Sequence, residues 1–255
     1  MTDGAPSSPG GGPAATGPQT LVIVGVKSLG RALALFFARR GWNVVCASRT
    51  AADVESLARD VQAAGGQGLG VAMDLADPAS CAALLARARE TFGRVDLCVA
   101  AQTAGGRFGP VPLLEVTGED LQRAFAGYPL NTLHLLQAAA RVQLEQGGGT
   151  FVQICTSSGL RAREGFAALG AAQHALRALV QVAARELRGR GVHAAYLAIE
   201  GQIDSPKSQA YAARVGKQKT LPEEEIARAV LYLHEQDPRS WTHELSLKPA
   251  ATDWT

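Results

Sequence analysis

The sequence is poor in the features that mark membrane, nucleic-acid-binding and secreted proteins. Aromatic residues make up 5% of it and the net charge is only +2, so neither a base-stacking platform nor a basic phosphate-tracking surface is expected. No apolar run approaches the roughly 20 residues of a membrane-spanning helix. The N-terminus lacks the basic and apolar regions of a signal peptide. These absences predict a cytoplasmic protein with no nucleic-acid or membrane partner.

Cysteine is also scarce and is not arranged for metal binding. The four cysteines lie in separate apolar stretches and form no C-x-x-C pair; they are Cys46, Cys81, Cys98 and Cys155. Cysteines placed in this way are typical of reduced core residues. We therefore expect no metal site.

What the sequence does contain is the alternating pattern of one α/β domain. Residues 1–19 are mainly Gly, Pro, Ser and Ala, and they cannot bury enough apolar surface to offset the entropy of ordering, which predicts a disordered tail. From Thr20 short β-branched runs alternate with longer amphipathic segments, without an internal repeat or an interdomain linker. This pattern predicts a single domain over residues 20–255.

A strand, a glycine loop and a helix open the domain. The run TLVIV predicts a buried strand that breaks at Gly25, and helical spacing begins after Gly30. Gly25 would let the backbone turn tightly, Gly30 would let helix and strand pack closely, and Ser28 is placed to cap the helix. The N–H groups at the helix start would then face an anion. A tight strand-to-helix connection without a ligand explains two glycines about equally well.

Two polar residues follow the next two predicted strands. Arg49 ends NVVCASR, where the ribose of a nucleotide would lie if the glycine loop held its pyrophosphate. A guanidinium there suits a 2′-phosphate, which favours NADP(H) over NAD(H); an exposed arginine that opens a loop is the simpler alternative. Asp74 ends GLGVAMD, and its carboxylate can accept a hydrogen bond from an adenine amino group or cap the following helix.

Residues 151–204 organise the second half of the chain. Their pattern predicts a buried strand, a polar crossing, a long helix that begins near Phe166, and a second buried strand. Two helices are predicted before this unit, and Pro129 is expected to introduce or kink the second of them. After it, residues 205–222 form a polar segment that we predict to be mobile, as would suit a substrate lid.

In this order the segments resemble the short-chain dehydrogenases/reductases over residues 20–249. The resemblance implies an α/β, Rossmann-like, doubly wound parallel sheet of about seven strands with helices on both faces. It also implies a nicotinamide cofactor along the strand ends, and a homodimer or homotetramer built on the two long helices. The resemblance rests on the order of the glycine loop, Arg49, and the motifs DLADPAS, GRVDLCVA, GTFVQICTSSG, GVHAAYLAIEGQIDSP and PRSWTHELSLKP.

The chemistry of that family uses a tyrosine as general acid and a lysine one helical turn later, whose ammonium lowers the pKa of the phenol. A serine before the tyrosine holds the substrate carbonyl, and an asparagine in the preceding helix completes a proton relay. The residues that the resemblance places at these positions are Leu169, Gln173, Thr156 and Tyr128. Only the hydroxyl of Thr156 is preserved in kind. No Y-x-x-x-K occurs anywhere in the chain, so no shift of the alignment restores the pair.

Other positions along the same groove also depart from the family pattern. The loop GVKSLG keeps the outer two of three glycines and is one residue shorter. Residues 100–103, AAQT, replace an asparagine-alanine-glycine turn, and Glu200 with Gly201 replaces a proline-glycine pair. Gly201 stays a candidate cofactor contact. Glu200 would bring a carboxylate close to the expected position of the nicotinamide carboxamide.

Three functions stay open on these residues. The first is an atypical NADP(H)-linked oxidoreductase acting on an unknown small molecule, in which Thr156 holds a carbonyl and Tyr128 supplies an acid. In the alternative, Tyr128 fills the space of the missing pair and Thr156 satisfies local backbone groups. The second is a catalytically silent pseudoenzyme or scaffold, able to pair with an active homologue through the two long helices. The third is a non-redox enzyme of cyclisation, elimination or hydration. The short glycine loop favours the second and third functions over the first, whereas Arg49 and Asp74 favour retention of the cofactor. We expect a cofactor-binding member with impaired or altered chemistry.

Overall fold

The chain is built on parallel β-strands in the computed structural model, which describes residues 17–102 and 109–252. The strands are β1 Thr20–Val24, β2 Asn43–Ser48, β3 Gln67–Ala72, β4 Leu97–Ala100, β5 Gly149–Thr156, β6 Val192–Ile199, β7 Gln202–Asp204, β8 Thr220–Pro222 and β9 Glu244–Leu247. Seven of them form one sheet in the order β3-β2-β1-β4-β5-β6-β9, in which every neighbouring pair is parallel. β7 and β8 form a separate parallel pair.

Helices connect the strands and cover both faces of the sheet. They are α1 Leu29–Ala38, α2 Ala51–Ala63, α3 Pro78–Phe92, α4 Gly118–Phe125, α5 Asn131–Glu145, α6 Ala167–Leu187, α7 Gln209–Val215 and α8 Glu223–Glu235. α6 begins one residue after Phe166, which confirms the predicted start of the long helix.

Two hydrophobic cores lie on opposite faces of the sheet. α1, α2 and α8 contribute to the first, with Phe36 and Val230 among its buried side chains. α3, α5 and α6 contribute to the second through Leu84, Leu135 and Leu176. Because both faces are covered, β1 and β6 are buried along their whole length, as expected for the strands of a parallel sheet. The predicted doubly wound α/β sheet of seven strands is therefore confirmed.

Two parts of the chain contain elements that the sequence did not predict. Pro129 does not begin the second helix, because it lies inside the π-helical segment Ala126–Leu130, which joins α4 to α5; a kink at this position stays a prediction. Proline has no N–H to donate, so a regular α-helical bond is lost and the wider turn accommodates the ring. The polar segment 205–222 contains α7 and ends in β8, and its mobility stays a prediction. Residues 1–16 of the predicted tail, and residue 103, lie outside the described residues.

The cysteines behave as core residues. All four are free and buried, which confirms them as core residues. Burial raises the pKa of the Cys46 thiol to about 12, as expected for a thiol in apolar surroundings. Across residues 17–102 and 109–252, no three His, Cys, Asp or Glu side chains are grouped as metal ligands would be. In the same part of the chain, no helix is both long and apolar enough to cross a membrane.

Candidate functional site

The candidate residues meet at the edge formed by the carboxyl ends of the central strands. Val24, Ala100 and Thr156 end β1, β4 and β5, which are neighbours in the sheet. The strand order reverses between β1 and β4, and in doubly wound sheets ligands bind in the crevice at this reversal. The groove above these strand ends is therefore the candidate site.

The glycine loop holds α1 tightly against the strand ends. Gly25 has a φ of +97°, and a Cβ there would lie 2.8 Å from the amide nitrogen of Gln102 in the turn after β4. A Cβ on Gly30 would lie 1.6 Å from the carbonyl oxygen of Gly25. Both positions therefore require glycine. α1 begins at the strand-order reversal with no acidic side chain in its first turn, as suits an anion-binding helix start.

Ser28 stands at the N-cap position of α1 but its side chain does not cap the helix. Its φ of +48° with ψ of −113° is a conformation suited to glycine, and no other non-glycine residue of the described chain has a positive φ. The hydroxyl donates to Oε1 of Glu223 at 3.4 Å and makes no bond to an α1 amide. The predicted side-chain cap is therefore wrong, because Glu223 engages the hydroxyl instead.

Arg49 and Asp74 follow the ends of β2 and β3. Arg49 is exposed, and none of the described residues forms an ion pair with it. Asp74 is also exposed, and its Oδ1 accepts a hydrogen bond from the Ala76 amide at 3.1 Å. α3 is capped by Asp77, which accepts from the Ala79 amide at 2.9 Å. The helix-capping alternative for Asp74 is therefore wrong, and the contact to adenine stays a prediction.

Thr156 is exposed at the end of β5. Its hydroxyl accepts a hydrogen bond from the Ser158 amide at 3.3 Å and starts the short 3₁₀ turn Ser157–Gly159. This contact matches the alternative in which the hydroxyl satisfies local backbone groups. The O–H proton is not used in that bond, so the same hydroxyl can still donate to a carbonyl in the groove.

Leu169 and Gln173 lie one turn apart on α6 but in different surroundings. Leu169 is half-buried and lines a cavity of about 40 Å³ together with Val111, Arg123 and Phe166. Gln173 is 2% exposed, and its Oε1 has no hydrogen-bond partner among the described residues. Buried polar atoms are normally hydrogen-bonded, often by water or a ligand. Gln173 is thus a polar position that packing alone does not explain.

Tyr196 approaches the turn beside Thr156, a contact that the sequence did not reveal. It lies within β6 and is fully buried, and its hydroxyl would be 2.0 Å from a Cβ at Gly159, in the turn after Thr156. Gly159 is therefore needed to admit the phenol. Burial, together with the neighbouring Cys155 thiol, raises the pKa of Tyr196 far above its ordinary value. The phenol consequently stays protonated and packs against Gly159 in this turn. Its only signal in the sequence is a single tyrosine in the mostly aliphatic strand VHAAYLAI.

Tyr128 lies in the π-helical segment between α4 and α5. It is half-buried and packs against the core on the α3, α5 and α6 face of the sheet. Its role in filling the space of the missing pair and its action as an acid both stay predictions.

Glu200 follows β6 and is held by two partners. Its carboxylate is buried and accepts hydrogen bonds from Arg161, which follows the turn after β5, and from Ser246 of β9. Burial alone would raise the pKa of Glu200, but the hydrogen bonds from Ser246 and Arg161 outweigh it and hold the pKa below its ordinary value. The ionised carboxylate therefore ties three elements together. Gly201 comes next, and a Cβ there would lie 3.0 Å from Cδ of Pro249.

A seven-stranded parallel sheet with a glycine loop at its strand-order reversal defines a Rossmann-type α/β protein. The chain belongs to the short chain dehydrogenase family, whose model matches residues 19–213.

Its relatives include oxidoreductases of known and unknown substrate. An uncharacterized oxidoreductase of Mycobacterium tuberculosis is 39% identical over 169 residues, which are 66% of this chain and 63% of that protein. The match thus spans a little less than two thirds of the mycobacterial relative. A sorbitol dehydrogenase of Cereibacter sphaeroides is 26% identical over 215 residues, which are 84% of this chain and 81% of that enzyme.

Solved structures share the fold over nearly the whole chain. A short-chain type dehydrogenase/reductase from Mycobacterium ulcerans has a TM-score of 0.81 at 21% identity, covering 91% of this chain and 89% of its own. An alcohol dehydrogenase from Thermococcus sibiricus, complexed with 5-hydroxy-NADP, has a TM-score of 0.77 at 22% identity, covering 92% and 98%. At these identities the likeness supports the fold alone.

Proposed function

We propose that this chain is an NADP(H)-binding short-chain dehydrogenase whose carbonyl reduction is impaired or altered. The observation that carries the proposal is Arg49, an exposed guanidinium without an ion-pair partner in the described chain, placed directly after β2. It lies at the strand end next to a glycine loop in which packing requires Gly25 and Gly30. The alcohol dehydrogenase of Thermococcus sibiricus binds 5-hydroxy-NADP, and a metagenomic short-chain oxidoreductase binds NADP.

The residues of the groove fit such a cofactor. The two glycines let α1 start close to the strand ends, so the free N–H groups at the start of α1 can face a pyrophosphate. When bound, the cofactor would supply or accept the hydride. The residues that would hold it are Gly25, Ser28 and Gly30 at the pyrophosphate, Arg49 at the 2′-phosphate, Asp74 at the adenine, and Gly201 at the nicotinamide end.

The altered chemistry in this proposal follows from the side chains of the cleft. We place Leu169 and Gln173 where the family has its tyrosine and lysine; an alkyl chain has no proton to give and an amide carries no charge. Thr156 keeps a hydroxyl that can hold a carbonyl oxygen. A positioned general acid contributes about 10²–10⁴-fold to a rate, so we expect ordinary carbonyl reduction to be slower by a factor of this order.

Arg49→Ala is expected to weaken NADPH binding by roughly 10- to 100-fold, because a charge-assisted contact to the 2′-phosphate is lost. NADH lacks that phosphate, so its affinity should stay within about twofold. Calorimetric titration of each variant with both cofactors measures the effect. The matched control is Arg59→Ala, which removes an exposed arginine from α2. Equal losses for NADPH and NADH would contradict the assignment of Arg49.

We also propose that copies of the chain pair through the long helices α5 and α6. Leu130, just before α5, is 48% exposed and Val182 of α6 is 50% exposed; pairing through these helices would remove both apolar side chains from water. The same surface would serve pairing with an active homologue if the chain is catalytically silent.

Sedimentation velocity is expected to give at least a dimer for the wild type and a lower mass for Val182→Asp, since a carboxylate at an apolar interface is desolvated without a partner. Leu114→Asp is the control, because Leu114 is 99% exposed and lies outside both helices. A monomeric wild type would refute the pairing.

A further inference from the structure

A contact between distant parts of the chain sits at the edge of the glycine loop. Ser28, which precedes α1, donates its hydroxyl to Oε1 of Glu223, the first residue of α8, at 3.4 Å across 195 positions of sequence. The starts of these two helices therefore meet at one point of the groove. The carboxylate faces the loop that would cradle a pyrophosphate.

The carboxylate of Glu223 differs from its neighbours in the same helical turn. Glu224 and Glu225 are exposed and both pair with Arg228. An acidic first turn stabilises a helix start through the helix dipole, and those two residues suffice for that role. Glu223 is half-buried instead and is directed to Ser28. The interaction with the helix dipole therefore does not explain why Glu223 is half-buried and bonded to Ser28.

Among the described residues, no cation forms an ion pair with the carboxylate of this contact. Burial and the nearby Asp204 raise the pKa of Glu223, against the opposing hydrogen bond from Ser28. Lys27, the only lysine of the loop, pairs with Asp53 of α2 at 3.1 Å. Within the described chain, Glu223 has no ion-pair partner. Two carboxylates thus stand at the pyrophosphate end of the groove, while Arg49 stands at the other end of the predicted cofactor path.

We infer that the carboxylate of Glu223 lowers the affinity of the nucleotide site by repelling a pyrophosphate bound at Ser28. It thereby also sets how much of the binding free energy comes from each end of the site. A diphosphate bound at the serine hydroxyl would displace the carboxylate or lie beside it, and neighbouring like charges repel. More of the binding free energy would then come from the contact of Arg49 with the 2′-phosphate than from the contact of the glycine loop with the pyrophosphate. This inference rests on the proposed binding of NADP(H).

Glu223→Gln tests the inference, because the amide keeps the shape and the bond to Ser28 but removes the charge. Calorimetric titration with NADPH is expected to show roughly tenfold tighter binding than the wild type, as for the removal of one nearby like charge. Glu224→Gln, which removes a charge from the same helical turn, should stay within about twofold of the wild type. 2′-AMP, which has no pyrophosphate, should bind Glu223→Gln and the wild type equally.

The outcomes separate this inference from the proposed function. If the wild type binds NADPH and Glu223→Gln binds it no more tightly, the inference is overturned and the cofactor proposal stands. If only Glu223→Gln binds, the inference is supported and the cofactor proposal fails for the native chain. If neither binds at millimolar NADPH, both are overturned. Tighter binding of 2′-AMP as well would refute a specific action at the pyrophosphate.

Discussion

Leu169→Tyr combined with Gln173→Lys is expected to raise the NADPH-dependent reduction of a generic diketone by at least about 10²-fold, the usual gain from a positioned general acid. The two positions lie one turn apart on α6, so the ammonium would lie close enough to lower the pKa of the phenol. Thr156, at the end of β5, would hold the carbonyl. The loss of NADPH absorbance under steady-state conditions measures the rate against the wild type.

A matched control places the same pair on the other side of the helix. His174 and Ala178 are also four residues apart on α6 and both are exposed. His174→Tyr with Ala178→Lys should therefore give no gain. If the Leu169 and Gln173 double variant binds NADPH and is as slow as the wild type, the missing pair does not account for the altered chemistry. Tyr196, which packs against the turn after β5, would then be the next residue to substitute.

Gly30→Ala is expected to lower the free energy of unfolding by about 2 kcal/mol or more and to remove NADPH binding. The added Cβ would lie 1.6 Å from the carbonyl oxygen of Gly25. This neighbour is backbone and cannot rotate away, so α1 would have to shift from the strand, and overpacking of this kind costs typically about 1–3 kcal/mol. Urea denaturation measures the stability, and titration under native conditions measures the binding.

Gly170→Ala provides the control for that experiment. Gly170 is inside α6, and a Cβ there would meet no atom within 4 Å, so the substitution should stabilise the helix by roughly 0.5–1 kcal/mol. The two substitutions are thus expected to change the free energy of unfolding in opposite directions. A Gly30→Ala variant as stable as the wild type would show that α1 does not approach β1 as closely as described.

The sheet could be predicted because its signal is local and repeated. Each buried strand is a short apolar run, as in TLVIV, and each crossing helix follows at helical spacing. The π-helical segment Ala126–Leu130 and the pair β7 and β8 were missed. Strands of three residues carry no periodicity, and a π turn depends on how the helix around Pro129 packs.

Residues of the candidate site could be predicted from the sequence only where the backbone geometry permits a single residue type. Gly25 and Gly30 were found because close approach demands glycine. The contact of Ser28 with Glu223, the bonds of Arg161 to Glu200 and the approach of Tyr196 to Gly159 join residues that are far apart in sequence. A local sequence pattern does not indicate which distant side chain will contact a strand end. These contacts could therefore be identified only from the three-dimensional structure.

Calorimetric titration of the purified full chain with NADPH tests the central claim, that the groove above the strand ends holds a phosphorylated nicotinamide cofactor. We expect saturable binding that is tighter for NADPH than for NADH, together with a rise in melting temperature on adding NADPH. No heat of binding and no thermal shift at millimolar NADPH would contradict it.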